Sequence, residues 1–287
     1  MRRDVFLSLL GSLPLSALIA APPVPSGWSD GFVIANGIRI HYWRTGGTKP
    51  SMVMAHGSSD DGLCWTNFAK EFSADYDIVM FDARGHGLSD PPGMNDPADA
   101  QAEDLAALIR ELKLTKPIVM GHSMGSASAA WFAAKYPDVP RAIVLEDPFL
   151  GPRRTGAGGD REQRRAQILA TNNKTEAELV AQCLKGSPQW GQSECEVWAP
   201  SKRLHHPNTA YASVGARPAM GELFPKIAAP TLILKADADA AVRAENEKVA
   251  ALLPKGKIVH IPGAGHNVRR DRKADTVAAL KTFLAGL

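Results

Sequence analysis

Three observations predict an α/β fold, with a mostly parallel central sheet, helices on both of its faces and an inserted cap. Short apolar runs of strand length alternate with helix-like segments over most of the 287 residues. The stretch Gly121-His122-Ser123-Met124-Gly125 stands where one such run passes directly into a helix-like segment. The alternation lapses over residues 149–224 and then resumes, which marks an insertion.

Residues 32–35 and 38–43 are strand-like runs around Asn36-Gly37, a pair whose tolerance of positive φ suits a hairpin turn. Strand-like runs follow at 52–55, 78–81, 118–120 and 142–145, separated by helix-like stretches at 65–72, 97–112 and 127–136. Strands alternating with helices pair in parallel and are covered on both faces, so they read as near-continuous apolar runs. After the lapse come a strand at 231–234, a helix at 243–253, a strand at 257–261 and a terminal helix at 274–284. The expected division is a core of residues 26–148 and 225–287 and a cap of 149–224. That cap should lie over the C-terminal edge of the sheet, where open α/β folds bind ligands. Its Trp190, Trp198, Leu204, Tyr211, Met220 and Phe224 suit either a hydrophobic pocket roof or the cap's own core.

Residues 1–25 read differently. Arg2-Arg3 precedes an apolar run broken by Pro14, small residues at Ala20-Ala21 and then Pro22-Pro23-Val24-Pro25, the pattern of a signal peptide and linker. A periplasmic or secreted protein with no stable membrane span in its mature chain is expected, a cytoplasmic one being the alternative. A formal charge of +3, with no basic block interleaved with aromatics, argues against nucleic acid as a partner. The basic cluster Arg161, Arg164 and Arg165 reads as a solvated helix face. Cys64, Cys183 and Cys195 lack C-x-x-C spacing, so neither a metal site nor a dense disulfide framework is expected. Cys64 reads as a buried free thiol, and in an exported protein Cys183 and Cys195 are near enough in sequence to pair.

The G-x-S-x-G stretch carries the chemistry. A tight strand-to-helix turn holds Ser123 clear of the sheet, and glycines at 121 and 125 let the two backbones approach around it. The small-residue helix that follows points its positive end at the serine. A serine hydroxyl needs a base, and His266, in the glycine-rich loop Pro262-Gly263-Ala264-Gly265-His266 after the last strand, is the histidine that such a fold delivers. His122 reads as a packing residue, and His41, His86, His205, His206 and His260 have no comparable context. Attack on a carbonyl creates an oxyanion, for which the backbone N–H groups of Met124 and Ser58 are the expected donors.

Together, His56-Gly57-Ser58, Asp82-Ala83-Arg84-Gly85-His86-Gly87-Leu88-Ser89, the serine turn and Gly265-His266 make the chain resemble the α/β-hydrolase superfamily over nearly everything from residue 32 onward except the cap. In that superfamily the D-x-R-G-x-G-x-S stretch is a structural turn, so Asp82 and Arg84 are given no catalytic role. The resemblance leaves the triad acid open. Ala236-Asp237-Ala238-Asp239-Ala240-Ala241-Val242 is similar to the usual G-x-x-D-x-x-V and selects Asp239. Lactonases of the zearalenone-hydrolysing type resemble another arrangement, with the acid after the strand that follows the serine helix, where this chain has Leu145-Glu146-Asp147-Pro148. Glu146 and Asp239 lead, and Asp147 and Asp237 follow. Arg269, Arg270 and Arg272 read as a solvated face, the alternative being partners of these acids or of a substrate carboxylate.

The implied activity is that of a serine hydrolase cleaving an ester or lactone of a small hydrophobic molecule, with no metal or organic cofactor. The same triad serves carbon–carbon bond hydrolases and cofactor-free haloperoxidases. Serine rather than aspartate in the turn argues against epoxide hydrolase or haloalkane dehalogenase chemistry. A non-catalytic small-ligand receptor is the rival from another class, and the intact serine and histidine count against it.

Overall fold

The computed structural model describes residues 24–152, 160–211 and 216–287. The expected signal peptide therefore lies almost wholly outside the described residues. An antiparallel hairpin, β1 (Ser29–Ala35) and β2 (Ile38–Arg44), turns at Asn36 and Gly37, both at positive φ. It leads into β3 (Ser51–Ala55), β4 (Asp77–Phe81), β5 (Ile118–His122), β6 (Ala142–Glu146), β7 (Thr231–Lys235) and β8 (Gly256–His260). The strand order is β1-β2-β4-β3-β5-β6-β7-β8, antiparallel up to β4 and parallel from there on.

Successive side chains of a strand point to opposite faces, and the core divides accordingly. On one face Val53, Ala55, Val79, Phe81, Val119 and Leu145 pack with α2 (Ala100–Glu111), α3 (Met124–Lys135) and α8 (Ala240–Ala250). On the other, Met52, Met54, Met80, Met120, Val144 and Leu234 pack with Trp65, Phe68 and Phe72, and with α10 (Lys273–Leu284) through Leu280. The expected helix at 65–72 is a 3-10 turn, Gly62–Trp65, running into the one-turn α1 (Thr66–Ala69).

Between β6 and β7 the chain forms α4 (Arg161–Asn172), α5 (Glu176–Gly186), α6 (Gly191–Arg203) and α7 (Met220–Leu223). Thr175 and Glu178 close a reciprocal capping box at the start of α5, satisfying backbone donors that its first turn leaves open. Phe224 is fully buried in the main core beside the sheet and not in a core of the insertion's own, while Trp190 and Trp198 line a cleft. Cys183 and Cys195 are joined in a disulfide across α5 and α6, and Cys64 is a buried free thiol. Among the described residues no helix is long and apolar enough to cross a membrane.

The disulfide closes a loop of sequence separation 12. A cross-link of this span removes denatured-chain entropy corresponding to about 3 kcal/mol. Replacing both cysteines by serine should lower the stability of the insertion by about that amount, read in a urea titration with matched oxidised and reduced wild type.

Candidate active site

The serine turn is built by close packing. A Cβ at Gly121 would strike the Gly125 carbonyl, and one at Gly125 would strike the Ala55 carbonyl. Only glycine lets α3 start this near β3 and β5. Ser123 itself takes φ 51°, ψ −107°, a strained conformation for a non-glycine residue. The Ser123 N–H donates to the Glu146 carbonyl at 3.0 Å, tying the turn to β6.

His266 Nε2 lies 2.9 Å from Ser123 Oγ, and His266 Nδ1 lies 2.5 Å from Asp147 Oδ2. The carboxylate cannot donate, so Nδ1 carries the hydrogen and Nε2 is left free to accept the serine proton. Asp147 is the first residue beyond β6 and also has positive φ, 43°. Its Oδ1 accepts from the Lys235 ammonium and, at 3.2 Å, from the Ala236 N–H. Lys235 also donates to the Pro148 carbonyl at 2.9 Å. Burial alone would raise the Asp147 carboxyl, but the hydrogen bonds from His266 and Lys235 outweigh it and hold it below its ordinary value. The hydrogen bond to Asp147 in turn raises His266 above 6.5, against partial desolvation.

The structure thus corrects the expected acid, since neither Glu146 nor Asp239 touches the imidazole. Glu146 is the last residue of β6 and is fully buried, where it accepts from Arg269 N and Nη1, each at 2.9 Å. The Arg269 guanidinium also lies 3.8 Å from the centre of the Trp65 ring. Arg269 belongs to the one-turn helix α9 (Val268–Asp271), which follows His266 with Asn267 between them, so Glu146 anchors the histidine loop from below. Asp239 caps α8, accepting from Val242 N at 2.9 Å. Asp237 accepts from Gly263 N at 2.7 Å and pairs with Arg243, bracing the same histidine loop from the outside.

Arg269 and Arg270 are buried, not solvated as expected. Arg270 pairs with Asp60 at 2.9 Å and with Glu194 of α6 at 2.7 Å. Lys202, also on α6, reaches Asp60 at 2.6 Å and the Ser59 carbonyl at 2.7 Å. Burial would raise the Asp60 carboxyl, but Arg270, Lys202 and Arg269 outweigh it and hold it well below the usual range. The loop after β3 is thereby clamped to the insertion.

His122 does more than pack. Its Nε2 lies 3.0 Å from the His266 carbonyl, which only an N–H can satisfy. Burial presses His122 down to about 4, so it stays neutral and serves as a fixed donor to the histidine loop. Asp82 behaves as the structural turn residue expected, accepting from Gly62 N at 2.7 Å and Leu88 N at 2.9 Å beside His41. Arg84 pairs with Asp104 and Asp96.

Ser123 and His266 open into two adjoining cavities of ≈ 960 and ≈ 470 Å³, and Ser58 lines both. Met124 lines the larger one and is the first residue of α3, where a helix leaves its N–H groups without intrahelical partners. Among the described residues no cluster of three His, Cys, Asp or Glu is placed to hold a metal ion.

The sheet order, the strained serine at a strand–helix junction and the histidine after the last strand are joined by a direct sequence match. The model of the alpha/beta hydrolase family covers residues 52–280. The chain belongs to the alpha/beta hydrolase family. This hydrolase is 28% identical over 250 residues to the 2-(acetamidomethylene)succinate hydrolase of Mesorhizobium japonicum, covering 84% of the chain and 90% of the relative. It is 26% identical over 251 residues to a putative esterase/lipase of Haemophilus influenzae, covering 82% and 83%. The crystal structure of an E-2-(acetamidomethylene)succinate hydrolase superposes with a TM-score of 0.75 at 26% identity, over 90% of this chain and 99% of that one.

Two features were not anticipated. Lys235, a lysine ending an otherwise apolar strand, is the signal for a carboxylate partner nearby, and Lys202 is its counterpart on α6. The separate duties of the acids can be tested by stability. Glu146→Gln leaves the buried Arg269 charge poorly compensated and should cost about 3–5 kcal/mol in chemical denaturation. Asp239→Ala, which removes only a helix cap, should cost about 1 kcal/mol.

Proposed function

We propose that this hydrolase cleaves a carboxylic ester or lactone through an acyl-enzyme formed on Ser123. The reading rests on the unbroken relay from Ser123 Oγ through His266 to Asp147. His266 Nε2 takes the hydroxyl proton as Ser123 attacks the carbonyl, and Asp147 stabilises the imidazolium that results. The tetrahedral oxyanion is held by the N–H groups of Met124 and Ser58. The imidazolium then protonates the departing alkoxide, the C–O bond breaks, and Ser123 is left acylated. Water, deprotonated by the same Nε2, attacks the acyl carbon, releases the acid and restores the serine. The resemblance to a putative esterase/lipase supports ester cleavage. A second reading, cleavage of a C–N or C–C bond by the same groups, is favoured by the relative that acts on 2-(acetamidomethylene)succinate. Residues 149–224 act in this reading as a cap over the cleft. The Cys183–Cys195 disulfide supports export to an oxidising compartment.

A fluorophosphonate probe should label Ser123, and Ser123→Ala should abolish both labelling and p-nitrophenyl ester turnover. Absence of labelling in the wild type would overturn the reading. The working base is neutral His266, which Asp147 raises, so the acid limb of kcat/KM should lie above pH 6.5. Asp147→Asn should lower kcat/KM by about 10⁴-fold and shift that limb downward, whereas Asp239→Ala should leave the profile in place.

A further inference from the structure

The basic cluster read from the sequence as a solvated face is exposed at Arg161 and Arg164, and both also border a cavity. Arg161 and Arg164, on the first turn of α4, line the larger cavity beside Ser123 and His266, and Arg164 lines the smaller one as well. Arg217 joins them on the wall of the larger cavity.

The other charges of the two cavities, that of Arg217 included, already have partners. Lys235 is held by Asp147, Lys202 by Asp60, Arg270 by Asp60 and Glu194, and Arg84 by Asp96 and Asp104. Every carboxylate on the walls is thus already committed to a cation. Arg161 and Arg164 have no ion pair or side-chain hydrogen bond among the described residues. Nor does helix stability explain them, since cations at a helix N-terminus oppose its dipole. Two guanidinium groups without an ion-pair partner, in a cleft shared with the nucleophile, leave positive potential that a bound anion complements.

We propose that the substrate is an anionic acyl compound, whose carboxylate is held by Arg164 with Arg161 supplying further positive potential, while its scissile carbonyl lies over Ser123. Guanidinium suits this task because its fork of donors matches a carboxylate in two parallel hydrogen bonds. The proposal rests on the serine hydrolase reading for its catalytic half and replaces the small hydrophobic substrate expected from sequence with an acidic one.

The test compares two esters that share a leaving group, p-nitrophenyl butyrate and mono-p-nitrophenyl glutarate, in which the acyl chain ends in a methyl or a carboxylate. Wild type should favour the glutarate ester in kcat/KM by about tenfold or more, an advantage that shrinks with added salt. Arg164→Met should reduce the acidic-to-neutral ratio by about tenfold, chiefly through KM, and Arg164→Lys should recover part of it. Arg165→Met, one residue along the helix and off the cavity walls, should leave the ratio unchanged. Equal use of the two esters by wild type, or an unchanged ratio in Arg164→Met, would overturn the proposal.

A second arm needs no turnover. Free glutarate should raise the melting temperature of Ser123→Ala and not that of Ser123→Ala/Arg164→Met. Loss of this shift rejects the anion site even if esters are cleaved, and its presence upholds the site even if the acyl-enzyme reading fails.

Discussion

The hydrogen bond between Asp147 and His266 joins the loops after β6 and β8 across 119 residues of sequence, and the arrangement around Ser123 depends on it. Its geometry is set by the sheet. His122 and Glu146 are partners in register at the ends of β5 and β6, so Ser123 and Asp147 emerge side by side at the same edge. Both then leave the strand at positive φ, a conformation that costs each of order 1–3 kcal/mol and that surrounding packing must impose. The glycines under Ser123 and the Lys235 ammonium on Asp147 supply that constraint.

Beneath this edge lies a layer of buried charge. Glu146 with Arg269, and Asp60 with Lys202 and Arg270, connect the histidine loop, the loop after β3 and helix α6. Removing water from so many ions is costly, and such pairs are a poor way to gain stability alone. They are a good way to fix geometry, because each ion tolerates only a narrow placement of its partner. The neutral imidazoles complement them. His56, His86 and His205 form a ring-to-ring series with centroids 5.0 and 4.7 Å apart, which links two core loops to the insertion without adding net charge.

Much of this was legible in the chain. The apolar runs located the strands because buried parallel strands lack polar positions, and Ser123 and His266 were recognisable from their place at a strand end and a glycine-rich loop. The acid was not, because one carboxylate ends β6, its neighbour stands just past it, and the two take different partners. Sequence alone does not say which of them meets the imidazole and which an arginine. Asp239 was misleading for a related reason: a residue that opens a helix is an effective cap whether or not a catalytic loop passes nearby. Arg269 and Arg270 were misjudged because charged residues in a short turn ordinarily face water, and their partners Glu146, Asp60 and Glu194 lie 76 or more positions away.

The separation of 143 positions between Ser123 and His266 has a consequence for biogenesis. No fragment ending before β8 contains the base, so a chain interrupted there holds Ser123 and Asp147 without the imidazole that joins them.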